Sequence, residues 1–115
     1  MQLTERRTQG IVVLDLKGRL TIEDGADLLH DKFKSLIFQG YSKVMLNLGN
    51  VPHIDSGALG KLVSCSVTAR RANASVKLFG LTGRVVELLT ITKLITEFDC
   101  YDTEEEALAS FLVTA

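Results

Sequence analysis

Segments with the pattern of β-strands alternate with segments that have the pattern of α-helices along most of this chain. Two strand patterns come first, and Gln9-Gly10 between them is typical of a tight hairpin turn. Each later strand pattern is followed by a stretch with apolar residues at helical spacing. Because such alternation implies right-handed crossovers, the sequence predicts an α/β fold in the order β-β-α-β-α-β-α-β-α. Its sheet is expected to be mixed and mostly parallel, with about five strands and with helices packed against it.

The element boundaries follow from apolar periodicity and from capping residues. The sequence predicts strands over 3–8, 11–17, 43–48, 75–79 and, as a short fifth strand, 98–101. The predicted helices are one capped by Thr21, one over 59–71, one over 83–90 behind Thr82, and one behind Asp102 or Thr103. The residues expected to face the core from the last two helices are Val85, Val86, Leu88, Leu89, Ala107, Leu108, Phe111 and Leu112.

The length and composition predict one globular domain over residues 1–115. Hydrophobic residues make up 46% of the chain, which suffices for one hydrophobic core without disulfides or structural metals. No apolar run approaches the roughly 18 residues of a membrane span, and the N-terminus lacks the apolar stretch of a signal peptide. We therefore expect a cytoplasmic protein without membrane insertion.

Charge and cysteine content argue against several functional classes. The formal net charge is −1, and the adjacent basic pairs Arg6-Arg7 and Arg70-Arg71 are not interleaved with aromatics, so direct nucleic-acid binding is not expected. Cys65 and Cys100 are interpreted as small buried hydrophobes and not as a disulfide or metal pair. No metal and no cofactor are expected, because metal-ligand spacing and a P-loop are both missing from the sequence.

The most informative local sequence is Asp55-Ser56-Gly57-Ala58-Leu59-Gly60, which joins a strand pattern to a helix pattern. Asp55 is a typical helix N-cap, and Ser56 follows it at the start of the helix. Backbone N–H groups at this end lack intrahelical partners, and the helix dipole is positive there. The position suits an anion, or a serine that gains and loses a phosphate. A purely structural capping role for both residues is the other interpretation.

Residues 44–60, VMLNLGNVPHIDSGALG, resemble the signature of the STAS domain as found in bacterial anti-sigma factor antagonists. That family shows an apolar strand ending in Asn-Leu or Asp-Leu, then a loop, then Asp-Ser-(Ser/Thr)-Gly-Leu-Gly. The element order and the Gly18-Arg19-Leu20 turn match as well, so the resemblance covers nearly the whole chain. Two positions differ from the family pattern: Gly57-Ala58 stands for Ser/Thr-Gly, and Thr21 stands where many members have Asp.

The resemblance implies a STAS fold and a binding function that phosphorylation controls. In the family, an unphosphorylated antagonist binds an anti-sigma factor that is itself a serine kinase, and so frees a sigma factor for transcription. The kinase phosphorylates the serine after the motif aspartate, the complex dissociates, and a serine phosphatase restores binding. Carried over to this chain, Ser56 is the phosphorylation site and Asp55 is the carboxylate beside it.

The expected partner-binding surface lies at one end of the sheet. Its residues are Arg19, Thr21, His53, Asp55, Ser56, Gly57, Ala58, Gly60 and Lys61. His53 is expected to be a partly exposed loop residue. The first strand is a polar edge strand, which would permit a homodimer. The acidic run Glu104-Glu105-Glu106 is interpreted as dipole compensation on a solvated face.

Two other functions stay open from the sequence. A STAS accessory subunit of a membrane transport or signalling complex would use the same turn without phosphorylation, and Thr21 and the displaced glycine favour it. A Ser-His-Asp hydrolase would use Ser56, with His53 three residues before it. The sequence lacks the G-x-S-x-G nucleophile elbow, and triads normally assemble from distant segments. We therefore expect a binding module and not an enzyme.

Overall fold

Five strands and four helices follow one another in residues 1–112, the part of the chain that the computed structural model describes. The strands are β1 (Gln2–Thr8), β2 (Ile11–Lys17), β3 (Lys43–Asn50), β4 (Ser75–Phe79) and β5 (Asp99–Tyr101). The helices are α1 (Ala26–Phe38), α2 (Ser56–Arg71), α3 (Gly83–Ile91) and α4 (Glu104–Leu112), with a 3₁₀ turn over Ile95–Glu97. The predicted fold class and element order are confirmed.

The five strands form one sheet in the order β1-β2-β3-β4-β5. β1 pairs antiparallel with β2, and the remaining neighbours pair parallel. The hairpin residues Gln9 and Gly10 have φ of 51° and 79°. Positive φ at both turn positions matches the right-handed twist of the two strands, which is why a Gly-containing pair occurs there. The predicted hairpin and the mostly parallel sheet are thus confirmed.

Alternate residues of the central strands form two cores, one on each face of the sheet. Because β2 to β5 advance across the sheet in one direction, right-handed crossovers place α1, α2 and α3 on the same face. The larger core lies there and includes Leu14, Leu46 and Leu78. The smaller core lies beneath α4 and consists of Ile11, Val13, Met45, Phe79, Ala107 and Phe111.

α1 begins later than the sequence predicts. The Thr21 hydroxyl accepts the Asp24 N–H at 3.0 Å, and the Thr21 carbonyl accepts the N–H groups of Asp24 and Ala26 at 3.1 Å. These bonds resemble those of a helix cap, but Gly25 adopts a left-handed φ of 98° that ends the turn. The prediction that Thr21 caps α1 is therefore wrong, because Thr21 closes a separate turn before the helix.

The amphipathic patterns of α3 and α4 are only partly confirmed. Val86 is 40% exposed and Leu112 is 46% exposed, so the prediction that both face the core is wrong. The buried positions of the two helices are Val85, Leu89, Ala107 and Phe111. Both helices are nine residues long, and each buries a narrower stripe than the sequence indicates.

An ion-pair cluster connects the start of α4 to β1 and β2. Arg6 Nε donates to Asp15 Oδ2 at 2.6 Å, and Arg6 Nη1 donates to Glu104 Oε2 at 2.9 Å. Asn47 Nδ2 donates to Asp15 Oδ1 at 2.8 Å. The assignment of Glu104 to a solvated face is therefore wrong, because its carboxylate pairs with a guanidinium 98 positions away in the chain. The two glutamates that follow are exposed.

Both cysteines are free thiols in different environments. Cys65 is buried in the larger core, as predicted, whereas Cys100 is only half-buried. Burial raises the pKa of the Cys65 thiol to about 12. Within residues 1–112, no helix combines the length and the apolar character that a bilayer crossing requires.

Candidate functional site

The loops that follow β2 and β3 meet at the carboxyl edge of the sheet. The Leu20 N–H donates to the His53 carbonyl at 3.0 Å, and the Asp55 N–H donates to the Leu20 carbonyl at 3.2 Å. The side chains of Leu20 and Ile54 are buried, with exposed fractions of 0% and 3%. These contacts hold the two loops side by side, so predicted surface residues from distant parts of the chain become neighbours.

Asp55 connects the start of α2 to the loop after β2. Its Oδ1 accepts the Ala58 N–H at 2.8 Å, which is the N-cap bond that the sequence predicts. The two carboxylate oxygens also accept the Ile22 N–H at 3.1 and 3.2 Å. The Ala58 N–H, followed by the Ile22 N–H and the charge of nearby His53, holds the pKa of Asp55 below its ordinary value. The carboxylate is therefore ionised at neutral pH.

Ser56 is the first residue of α2, and it is exposed. The helix begins three residues before the predicted run over 59–71, at the position that the predicted Asp55 cap requires. Among residues 1–112, the Ser56 hydroxyl has no hydrogen-bond partner, whereas the Asp55 side chain beside it is fully engaged with backbone amides. An exposed, unbonded hydroxyl at the positive end of a helix is accessible to a modifying enzyme.

Gly57 lies directly beneath the side chain of Ile22. A Cβ atom added at Gly57 would stand 2.6 Å from Ile22 Cβ and 3.1 Å from its Cγ1. Those distances are shorter than van der Waals contact, so only glycine permits this approach of loop and helix. The shift of the glycine relative to the family pattern thus has a physical reason in the position of Ile22.

Ile22 is a surface residue that sequence reasoning did not single out. Its side chain is 45% exposed although it packs on Gly57 next to Ser56. The signal in the sequence is a second large apolar residue, after Leu20, in a short loop whose other residues are polar or glycine. The loop also contributes to a shallow cleft of about 470 Å³ lined by Arg19, Thr21, Ile22, Glu23, Asp24 and Asp55.

The remaining predicted surface residues differ in exposure and in their contacts. Arg19 and Gly60 are exposed, and Thr21 and His53 are half-buried. Lys61 is half-buried and forms an ion pair with Asp27 of α1, with Nζ and Oδ1 separated by 3.1 Å.

Ala58 is the exception in the predicted surface. It is 0% exposed and belongs to the larger core, so the assignment of Ala58 to a partner-binding surface is wrong. The reason is helical geometry, since Ala58 follows Ser56 by two positions and therefore points away from the face that Ser56 presents.

The geometry of a serine hydrolase is not assembled at this turn. Within residues 1–112, no hydrogen bond joins Ser56 to His53, and the Asp55 carboxylate binds backbone N–H groups and not the His53 ring. A nucleophile, base and orienting group need mutual hydrogen bonds to act as a triad. The same described part of the chain contains no group of three metal-ligating side chains. The site therefore offers a shaped surface with an exposed hydroxyl at Ser56.

The family model of the STAS domain matches residues 2–107 of this chain. Because the match covers most of the chain, the protein belongs to the STAS domain family. The matched region includes the loops after β2 and β3, the Asp55–Gly60 turn and the first turn of α4.

Several relatives with this fold are similar over nearly their whole length. A Thermotoga neapolitana protein, named as a proposed anti-sigma factor antagonist, is 31% identical over 100 residues, which are 87% of this chain and 88% of the relative. A crystal structure of the corresponding Thermotoga maritima protein has a TM-score of 0.89 at 27% identity and covers 96% of this chain and 95% of its own. The unphosphorylated anti-sigma factor antagonist SpoIIAA, at 20% identity and a TM-score of 0.76, covers 98% of this chain and 100% of its own. At that identity, SpoIIAA supports the shared fold alone.

Proposed function

We propose that this chain is an anti-sigma factor antagonist that binds an anti-sigma factor with serine-kinase activity and is released when Ser56 is phosphorylated. The observation that carries this proposal is the exposed, unbonded Ser56 hydroxyl at the start of α2. The naming of the Thermotoga neapolitana relative as a proposed antagonist gives further support. In this function, unmodified protein sequesters the anti-sigma factor and so regulates transcription, and a serine phosphatase regenerates the binding form.

Phosphorylation would change the surface much more than the fold. A phosphoryl group adds a charge of about −1.5 to −2 and three acceptor oxygens. Because Asp55 already binds the Ala58 N–H, the added group would stay outward beside an ionised carboxylate. The helix dipole offsets part of the charge within the domain. A docked partner, in contrast, encounters both the added volume of the phosphoryl group and its electrostatic repulsion. A loss of about 3 kcal/mol at the interface would weaken binding more than a hundredfold.

The test uses the purified serine-kinase anti-sigma factors that the source organism encodes, each incubated with this protein and ATP. We expect mass spectrometry to find one phosphate, on Ser56, and calorimetry to show that phosphorylated protein binds at least a hundredfold more weakly than unmodified protein. Ser56→Ala should keep the affinity of the unmodified form and should accept no phosphate. Ser56→Asp should fold normally and bind weakly.

The matched control is Ser42→Ala, which changes another exposed serine that precedes β3 and so lies at the opposite edge of the sheet. This variant should be phosphorylated and released like the unmodified protein. Equal affinity of the phosphorylated and unphosphorylated forms for the same anti-sigma factor would overturn the proposed mechanism.

A further inference from the structure

A groove runs from the loop before α2 along one face of α3. It has a volume of about 470 Å³ and is lined by His53, Ile54, Arg84, Glu87, Leu88 and Ile91. The four α3 residues recur at spacings of three and four, so they form one stripe on the helix. α3 follows β4 and starts at the same carboxyl edge as α2, which places the groove beside the Ser56 surface.

The floor and outer end of the groove are apolar. Ile54 is buried at the base, Leu88 is half-buried, and Ile91 is 69% exposed at the end of α3. A single exposed isoleucine on a flat surface needs no explanation, but here it extends a concave apolar strip. Removing apolar surface from water against such a strip favours association with a partner.

The groove lining also includes two side chains of opposite charge that have no ion-pair partner in the described part of the chain. Arg84 and Glu87 are exposed, and neither takes part in an ion pair within residues 1–112. A cation and an anion among the apolar residues of this stripe favour a partner segment with a complementary pattern, since unlike charges across an interface select partner and register. A small anionic ligand is less suited, because Glu87 lines the same groove.

His53 makes the groove continuous with the surface around Ser56. It lines the groove, and its backbone carbonyl accepts the Leu20 N–H at 3.0 Å in the loop that Asp55 also binds, so the residue stands between the two features. We infer that the α3 groove is a second contact region for the anti-sigma factor, which inserts an apolar side chain against Leu88 and Ile91. An acidic residue of the same partner segment lies opposite Arg84. This inference rests on the proposed function and extends the predicted surface to a helix that sequence reasoning did not include.

The test measures the affinity of the purified serine-kinase anti-sigma factor for groove variants by calorimetry, and the association rate by surface plasmon resonance. Ile91→Asp should weaken binding by about tenfold or more, because it places a charge in the apolar strip. Arg84→Glu should weaken binding by about three- to tenfold, with the larger part in the association rate and with a reduced salt dependence. Phe38→Asp is the matched control, since Phe38 is 94% exposed at the far end of α1 and its replacement should leave the affinity unchanged.

A second measurement uses the unmodified chain, so that it does not depend on the folding of any variant. Amide signals of Leu88 and Ile91 in the ¹⁵N-labelled protein should shift or broaden when the anti-sigma factor is added, and those of Phe38 should not. The groove proposal would be overturned if Ile91→Asp bound with full affinity and the α3 signals stayed unperturbed. The proposed function would stay intact in that case if Ser56 phosphorylation still abolished binding. If no such anti-sigma factor binds the unmodified protein, the proposed function fails and the groove proposal fails with it.

Discussion

The Asp55 carboxylate accepts the Ile22 backbone N–H with both of its oxygens, at 3.1 and 3.2 Å, while it caps α2 through the Ala58 N–H. One side chain thereby holds the loop after β2 against the helix that begins with Ser56. The same connection places Ile22 above Gly57 and leaves the Ser56 hydroxyl exposed. The shape of the proposed docking surface therefore depends on Asp55, although the proposed phosphorylation site is Ser56.

Replacement of Asp55 should lower stability and loosen the loop. Asp55→Ala removes the cap and both bonds to Ile22, and we expect the melting temperature to fall by roughly 4–8 °C. Asp55→Asn should cost less, because the amide oxygen still accepts one N–H. The measurement is thermal unfolding followed by circular dichroism. Asp31→Ala, at an exposed position in the middle of α1, is the control and should change the melting temperature little. Equal melting temperatures for all of these variants would refute the role of Asp55 as a connection.

Two glycines of the same helix should respond in opposite directions to alanine. Gly57→Ala places a methyl group 2.6 Å from Ile22 Cβ, and we expect a loss of about 1–3 kcal/mol in the free energy of unfolding. Gly60→Ala meets no atom within 4 Å and should gain about 0.5–1 kcal/mol, because alanine restricts the unfolded chain and favours the helix.

Urea unfolding measures both free energies, and the two variants serve as controls for each other. Because the closest atom to the added methyl group is Ile22 Cβ, Ile22→Ala should not rescue Gly57→Ala, whereas Ile22→Gly should recover part of the loss. Rescue by Ile22→Ala would show that the crowding involves the outer part of the side chain.

The sequence predicts the features of this fold that depend on short-range patterns. The hairpin at Gln9-Gly10, the Asp55 cap and the order of strands and helices all follow from residues that are close in the chain. The late start of α1 was missed because Gly25 ends a turn that Thr21 had begun like a helix. Helix propensity alone does not reveal that a capped segment ends after a single turn instead of continuing as a helix.

Contacts between distant segments explain two features that the sequence predictions did not include. The packing of Ile22 on Gly57 joins the loop after β2 to the first turn of α2, two segments that the β-sheet brings together. The pairing of Glu104 with Arg6 depends on α4 crossing to the opposite face of the sheet. The role of the site was predicted from the resemblance, whereas its shape is set by tertiary structure.

The two thiols should differ in their reactivity in the folded protein. Cys65 is buried and its pKa is raised to about 12, so the reactive thiolate is scarce and shielded at neutral pH. Cys100 is half-buried and should react first with a thiol reagent such as dithiobis(nitrobenzoate), although burial also raises the pKa of the Cys100 thiol. In the Cys100→Ser variant, the remaining thiol should react only as urea unfolds the protein. Rapid labelling of that variant in native buffer would contradict the burial of Cys65.

Acid should weaken the protein through the cluster that attaches α4 to the sheet. A hydrogen bond from Arg6 holds the pKa of Glu104 below its ordinary 4.5, despite some burial. Partial burial raises the pKa of Asp15, but the Arg6 and Asn47 hydrogen bonds outweigh it and leave the pKa below its ordinary 3.8. A carboxyl whose pKa is depressed by folding stabilises the native state above its unfolded pKa, and the contribution is lost as the pH falls through the folded pKa.

The urea midpoint should therefore be insensitive to these two groups from neutral pH to about pH 4.5 and should fall below it. Glu104→Gln should lower the midpoint at pH 7 and reduce its decrease between pH 4.5 and pH 3, because the variant has already lost the ionised partner of Arg6. Glu105→Gln changes an exposed neighbour at the start of the same helix, so it shares the dipole effect but not the contact with Arg6. Its pH dependence should follow that of the unmodified protein. The same acid profile for Glu104→Gln and Glu105→Gln would mean that the ion pair does not contribute to holding α4 on the sheet.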